Sequence, residues 1–232
     1  MADTDALILG LEIDAVRPVI AEQIQAAGGA TQWLQQRAAS GPLLSASEAL
    51  AWLDLAGGGT QPVAAQSLRM LADATSVAPW KGSSAPSVTI LYSGGTAGGT
   101  AAAIGEHDVD TVRIIDHSHV GELLASEAFN DAARDVAAAS TDGSAPQIKD
   151  FLDDLLYEPA TLAEDGTRSG AGLWDEASAR FAPSVSGDVI TLTSAAEDHR
   201  TFAVTELEAL LDNPDVTTIN GMSRSLLEAP QV

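Results

Sequence analysis

The sequence predicts an α/β protein: a helical N-terminal subdomain packed on a small α/β subdomain that holds a short, mainly parallel sheet. Three observations carry that expectation. Apolar residues recur at helical spacing through the first eighty positions. From residue 87 onward, short β-branched runs alternate with helical segments, the pattern of strands joined by crossovers. With 232 residues, 45% of them hydrophobic, the chain can bury the core of one large domain or of two small ones. The expected organisation is a helical part over 1–86, an α/β region over 87–221 and a loosely held tail over 222–232.

The elements follow in order. Val16, Ile20 and Ile24, then Trp33 and Leu34, sit at helical spacing with polar residues between them. Ser45, Ser47 and Glu48 read as a helix start before Leu50, Trp52, Leu53 and Leu55, and Gly57 to Gly59 end that helix. A further helix is expected from Pro62 to about Ala74, and Lys81 to Pro86 has the composition of a linker. Ser87 to Tyr92 reads as a buried strand that opens into a flexible loop, Ser93 to Gly99. Ala101 to Ile104 begins a short helix. Thr111 to Ile115 is a second strand, followed by a helix with Val120, Leu123 and Leu124. Residues 126–160 read as helical with a break at Gly143 to Pro146, and Trp174 to Ala182 as another helix. Asp188 to Leu192 and Thr201 to Thr205 are expected strands, Leu207 to Leu211 a short helix, and Val216 to Ile219 a last strand after the Asn213-Pro214 turn.

Composition removes several function classes. The formal net charge is −22 and there are only two lysines, Lys81 and Lys149. Such a surface repels a phosphate backbone and an anionic bilayer, so neither nucleic acid nor membrane is an expected partner. The acidity fits adaptation to high salt, a basic partner such as a neutralising protein, or simply a well-solvated surface; scarce lysine favours the first. With no cysteine, disulfides and thiolate metal sites are excluded. The N-terminal stretch has no basic segment and carries acids within its apolar run, unlike a cleavable signal peptide. No apolar run is long enough for a spanning helix. The expectation is a soluble protein, cytoplasmic or delivered by a route without a cleavable signal.

The most informative segment runs from Trp174 to Glu206. It has a tryptophan, Ser178 four positions on, Phe181-Ala182, a Gly-x-Val opening a strand at Gly187, then Thr201-Phe202 and Glu206. A short leucine-rich stretch and Asn213-Pro214-Asp215-Val216 follow. Upstream come Leu91-Tyr92-Ser93-Gly94 and Ile114-Ile115-Asp116-His117-Ser118. In this order these motifs resemble the ADP-ribosyl cyclase/NAD glycohydrolase family, over roughly residues 87–219. The chain departs from the animal enzymes in lacking disulfides, in Tyr92 where they have tryptophan, in Asp116 where they have glutamate, and in Gly94 where they have a basic phosphate contact. The chain resembles disulfide-free bacterial NAD-cleaving toxin domains more than the animal enzymes.

The resemblance implies an ADP-ribosyl cyclase-like fold and cleavage of the nicotinamide–ribose bond of NAD or NADP, as substrate, with no further cofactor and no metal. That bond breaks through an oxocarbenium-like state, which a carboxylate beside the ribose stabilises. Glu206, expected at a strand end, is the implied catalytic carboxylate. Trp174 offers an aromatic face to the flat nicotinamide cation, with Tyr92 opposite or close by. Asp116 is placed to accept from the nicotinamide amide and Ser178 to contact the ribose. Ser93, the Gly94 backbone, Thr201 and Phe202 are candidates to cradle the diphosphate. Thr201, small where a bulky aromatic would exclude water, favours hydrolysis to ADP-ribose over cyclisation. The implied biology is an NAD-depleting effector, paired with an immunity protein; the rival reading is a module that binds NAD or ADP-ribose without turnover.

Each residue also has a plainer role. Trp174 and Phe181 suit an amphipathic core stripe, Glu206 a solvated acid at a helix start, Tyr92 core packing, and Asp116 a helix N-cap. His117 and His119 beside Asp116 form an incomplete metal set. The Gly94 to Gly99 loop lacks the Gly-Lys-Ser/Thr ending of a nucleotide-hydrolase phosphate loop, and no Gly-x-Ser-x-Gly elbow is present.

Overall fold

Ser45 and Glu48 start a helix by a reciprocal pair of bonds. The Ser45 hydroxyl accepts the Glu48 N–H at 3.1 Å, and the Glu48 carboxylate accepts the Ser45 N–H at 2.9 Å. The structure, a computed structural model, describes residues 2–40, 43–58, 63–82, 86–93, 95–162, 168–193 and 201–223. Its elements run α1 (Ala2–Ala27), α2 (Ala30–Ala39), α3 (Ala46–Gly57), α4 (Ala65–Ala74), β1 (Val88–Ser93), α5 (Gly95–His107) and β2 (Val112–Arg113). Then come a 3-10 turn (Ile115–His117), α6 (His119–Ala125), α7 (Glu127–Ser140), α8 (Ala145–Leu156), β3 (Thr161–Leu162) and β4 (Arg168–Ser169). The last described elements are α9 (Leu173–Phe181), β5 (Gly187–Thr193), a π turn (Phe202–Glu206), α10 (Leu207–Asp212), β6 (Val216–Ile219) and β7 (Met222–Ser223). No helix among the described residues is long and apolar enough to cross a membrane.

Two compact units divide these elements: Met1–Ser76 with His119–Asp153, and Val77–Ser118 with Asp154–Val232. The first unit is helical. Leu68, Leu71 and Ala72 bury one face of α4, and Phe129, Ala133, Val136 and Ala137 one face of α7, both at helical spacing. The Ser126 hydroxyl caps α7 by accepting the Phe129 N–H at 3.2 Å. Trp33 and Trp52 are buried, and each indole N–H finds an acceptor, Gln23 Oε1 at 3.1 Å and the Ala30 carbonyl at 3.0 Å.

The second unit is α/β, with a small mixed five-stranded sheet in the order β2-β1-β5-β6-β7. Its first four strands are parallel and β7 closes antiparallel on β6. Ile90, Ala101, Val112 and Ile114 form the core between sheet and α5, with Val88, Tyr92 and Leu192 packed against it. After β1 the chain passes to β2 on one side, and after β5 it passes to β6 on the other. The carboxyl ends of β1 and β5, where Tyr92 pairs with Leu192 and Ser93 with Thr193, are therefore the topological switch point, the usual crevice of open parallel sheets.

Several expectations are corrected. Thr201 to Thr205 is not a strand: Thr201 is right-handed helical and the stretch from Phe202 winds as a π turn. The glycine loop is shorter than expected, because α5 already begins at Gly95 and runs to His107; Gly94 lies outside the described residues. The second strand is only Val112–Arg113, and Ile115–His117 forms a 3-10 turn. The stretch after Gly221 begins with a strand, since Asn220 (φ 52°) and Gly221 (φ 77°) turn the chain back so that Met222–Ser223 pairs with β6. By its contacts, 119–153 groups with the N-terminal helices.

Candidate active site

Every described site residue anticipated from the sequence lies in the second unit. Tyr92 stands at the end of β1, where its ring packs against the core. Its α5 neighbour is Gly98, whose bare Cα leaves room for the ring; a Cβ there would lie 3.0 Å from Tyr92 Cε2. The phenol donates to Asp116 Oδ2 at 2.6 Å. Burial, then the neighbouring Asp116 and more weakly Glu206, push its ionisation well above the usual phenol range. Tyr92 therefore presents a hydrogen-bond donor, and at least one side of its ring is occupied by α5. Asp116 sits in the 3-10 turn, half-buried, and its carboxylate is engaged by Tyr92.

Glu206 ends the π turn, one residue before α10, where the expectation had a strand end. It is 2% exposed. Burial pushes its carboxyl up to about 7, a hydrogen bond from Ser178 opposes the rise, and the Asp175 carboxylate adds to it. Its Oε2 is buried with no hydrogen-bond partner. A buried carboxylate oxygen without a donor is costly in the free protein and is stabilised by an incoming cation or donor.

α9 supplies the partners. Gly172 sets the start of this helix against the end of α8: a Cβ there would meet the backbone at Glu158, Leu156 and Tyr157 within 2.8 Å, and the Gly172 N–H donates to the Glu158 carbonyl at 2.7 Å. Ser178 is buried and bonded to Glu206. Trp174, half-buried, lies one turn earlier on the same helical face as Ser178. Thr201 and Phe202, both half-buried, lead into the π turn, and Ser93 ends β1. The segment 194–200, which joins β5 to Thr201, lies outside the described residues.

Two residues were missed from the sequence. Asp175, 1% exposed, accepts the Thr205 hydroxyl at 2.8 Å, directly beside the Ser178–Glu206 pair. Asp175 reads in sequence as an ordinary acid in the first turn of a helix, and nothing local distinguishes it. The histidines diverge in their surroundings: His117 is buried 3.6 Å from Glu106, while His119 Nδ1 accepts the Ala46 N–H at 3.2 Å. An open groove of about 600 Å³ along α5, lined by Gly99, Thr100, Ala103, Ile104, His107 and Asp108, contains none of the candidate groups.

The arrangement is thus a buried carboxylate with one unpartnered oxygen, an aromatic and a serine on the adjoining helix, and a phenol–carboxylate pair alongside. It can stabilise positive charge in a dry setting and order hydroxyl or amide groups around it. No family model, curated protein or solved structure matches the chain.

Proposed function

We propose that the protein cleaves the nicotinamide–ribose bond of NAD or NADP, releasing nicotinamide and the ADP-ribosyl product. The observation that carries this reading is the buried Glu206 carboxylate with its unpartnered Oε2, close enough to Tyr92 at the end of β1 to raise its ionisation. The ordered resemblance of the Trp174, Ser178, Thr201-Phe202 and Glu206 motifs to ADP-ribosyl cyclases supports it. In this reading the bond electrons leave with the nicotinamide nitrogen, which becomes neutral. The ribose C1′ gains cationic character beside Glu206, which stabilises it electrostatically. Water attacks C1′ and its proton passes to solvent, giving ADP-ribose; an internal nucleophile gives the cyclic product instead. Ser178 holds Glu206, Trp174 offers its face to the nicotinamide, and the Tyr92–Asp116 pair supplies polar contacts to the amide.

Purified protein incubated with NAD, in low and high salt, tests this directly. Nicotinamide release by wild type and near-silence in Glu206→Gln is the expected result. A folded wild type that binds NAD or ADP-ribose without release under either condition leaves a binding module. Mainly cyclic product would correct the preference for hydrolysis but keep the bond cleaved.

A further inference from the structure

Two consecutive residues of the π turn are held by two positions one turn apart on α9. Asp175 Oδ1 accepts the Thr205 hydroxyl at 2.8 Å, and Ser178 bonds Glu206. All four side chains are buried. The bonds run in opposite senses, α9 accepting at Asp175 and donating at Ser178, so both are needed to fix the turn in position and rotation. The π turn is itself a costly geometry, one residue wider than an α-helical turn, and persists where tertiary contacts hold it. Here it carries Glu206.

We propose that Asp175 is a positioning residue for the proposed NAD cleavage, acting through Thr205 to hold the π turn so that the Glu206 carboxylate stays in place. This rests on the functional reading above. The simpler role of a buried Asp–Thr pair, holding the fold together, would make any loss a matter of stability alone. Two features separate the roles. Thr205 is adjacent to Glu206, so a small rotation of the turn moves the reacting carboxylate before it unfolds anything. Asp175 also acts on Glu206 through its charge, raising the proton affinity of the second carboxylate. The groups facing Glu206 are Asp175 and Ser178 from α9 and Tyr92 from β1, while Glu208 and Asp212 on α10 are exposed.

Three variants test this, each first checked for a cooperative thermal transition. Thr205→Val keeps the shape and removes the hydroxyl; Thr205→Ser restores it; Asp175→Asn keeps an acceptor and removes the charge. The expected result for Thr205→Val is a ten- to hundredfold loss of kcat for nicotinamide release, of the order that misplacing a reacting group by about 1 Å costs, with KM little changed. Thr205→Ser recovers most of that loss. The midpoint of the Glu206 carboxyl, followed by 13C NMR and assigned with Glu206→Gln, moves to lower pH in Asp175→Asn. A folded Thr205→Val with wild-type kcat overturns the proposal, as does a serine variant no better than valine. If wild type itself releases no nicotinamide, the functional reading fails separately. The carboxyl titration then decides alone, and an unmoved midpoint in Asp175→Asn overturns the coupling of Asp175 to Glu206.

Discussion

The Tyr92 hydroxyl and Asp116 Oδ2 lie 2.6 Å apart, joining the end of β1 to the 3-10 turn that follows β2. With burial and Asp116 both raising its ionisation, the phenol stays protonated across the physiological range and serves only as a donor. The bond fixes where the Asp116 carboxylate stands relative to the strand end.

Tyr92→Phe keeps the ring and removes the donor, leaving a half-buried carboxylate short of a partner. The expected cost is about 1 to 3 kcal/mol in unfolding free energy. Urea denaturation at pH 7 measures it. A variant as stable as wild type would show that water replaces the phenol without loss.

Glu206→Gln has a pH-dependent effect on stability whose sign follows from the raised ionisation. An unfolded glutamate ionises near 4.3, whereas the folded one does so at about 7. The folded state holds this proton more tightly, so the contribution is fully present below the unfolded value and is lost as pH rises through about 7. Glutamine has no such loss. Between pH 4 and pH 8 the variant is therefore expected to gain about 3 kcal/mol on wild type. Chemical denaturation at the two pH values reads this out, and a constant difference would mean that the carboxylate ionises as if solvated.

The same ionisation governs the proposed reaction with the opposite sign. Only the carboxylate form of Glu206 stabilises a cationic ribosyl centre. kcat/KM for nicotinamide release should thus rise about tenfold per pH unit on the acid side and level off above about pH 7. Tyr92 contributes no falling limb up to pH 9, because its hydroxyl is still protonated there. A profile flat from pH 5 to 8 would remove Glu206 from the rate-determining chemistry.

What could be read in advance was set by local physics. The Ser45–Glu48 capping box, the β-branched β1 and the amphipathic α9 each declare themselves within a few residues, and each stands as expected apart from small shifts at its ends. Thr201 to Thr205 misled because Thr, Val and Thr favour strands locally. In the folded chain Val204 is buried and the Thr205 hydroxyl is taken by Asp175, thirty positions earlier in sequence. Glycines at 95, 98 and 99 suggested a loop, yet Gly98 is helical, and its missing side chain lets α5 lie on the Tyr92 ring. The Asn220-Gly221 dipeptide did carry a hairpin signal, which the shortness of β7 made easy to overlook. Of the candidate site, the resemblance supplied Tyr92, Asp116, Ser178 and Glu206, which the fold brings into one unit. Asp175 and Thr205 needed three-dimensional contacts to be noticed.

Gly98→Ala tests whether the Tyr92 ring is held or free to adjust. In an exposed helix interior, alanine gains roughly 1 kcal/mol over glycine. Here the added Cβ would lie 3.0 Å from Cε2 and 3.3 Å from Cδ2 of Tyr92, so the ring must yield by a few tenths of an ångström. The Asp116 bond holds it at the hydroxyl, and packing against the Ile90 and Val112 cluster holds it at the other end. The alanine is therefore expected to lose its helix gain, leaving a net cost of about 1 kcal/mol. In a Tyr92→Phe background the ring has lost its tether and the same substitution should cost less or become stabilising. A double-mutant cycle by urea denaturation gives the coupling, expected at about 0.5 to 1.5 kcal/mol. Equal effects of Gly98→Ala in both backgrounds would mean that the Asp116 bond does not fix the ring, and that β1 alone sets its position.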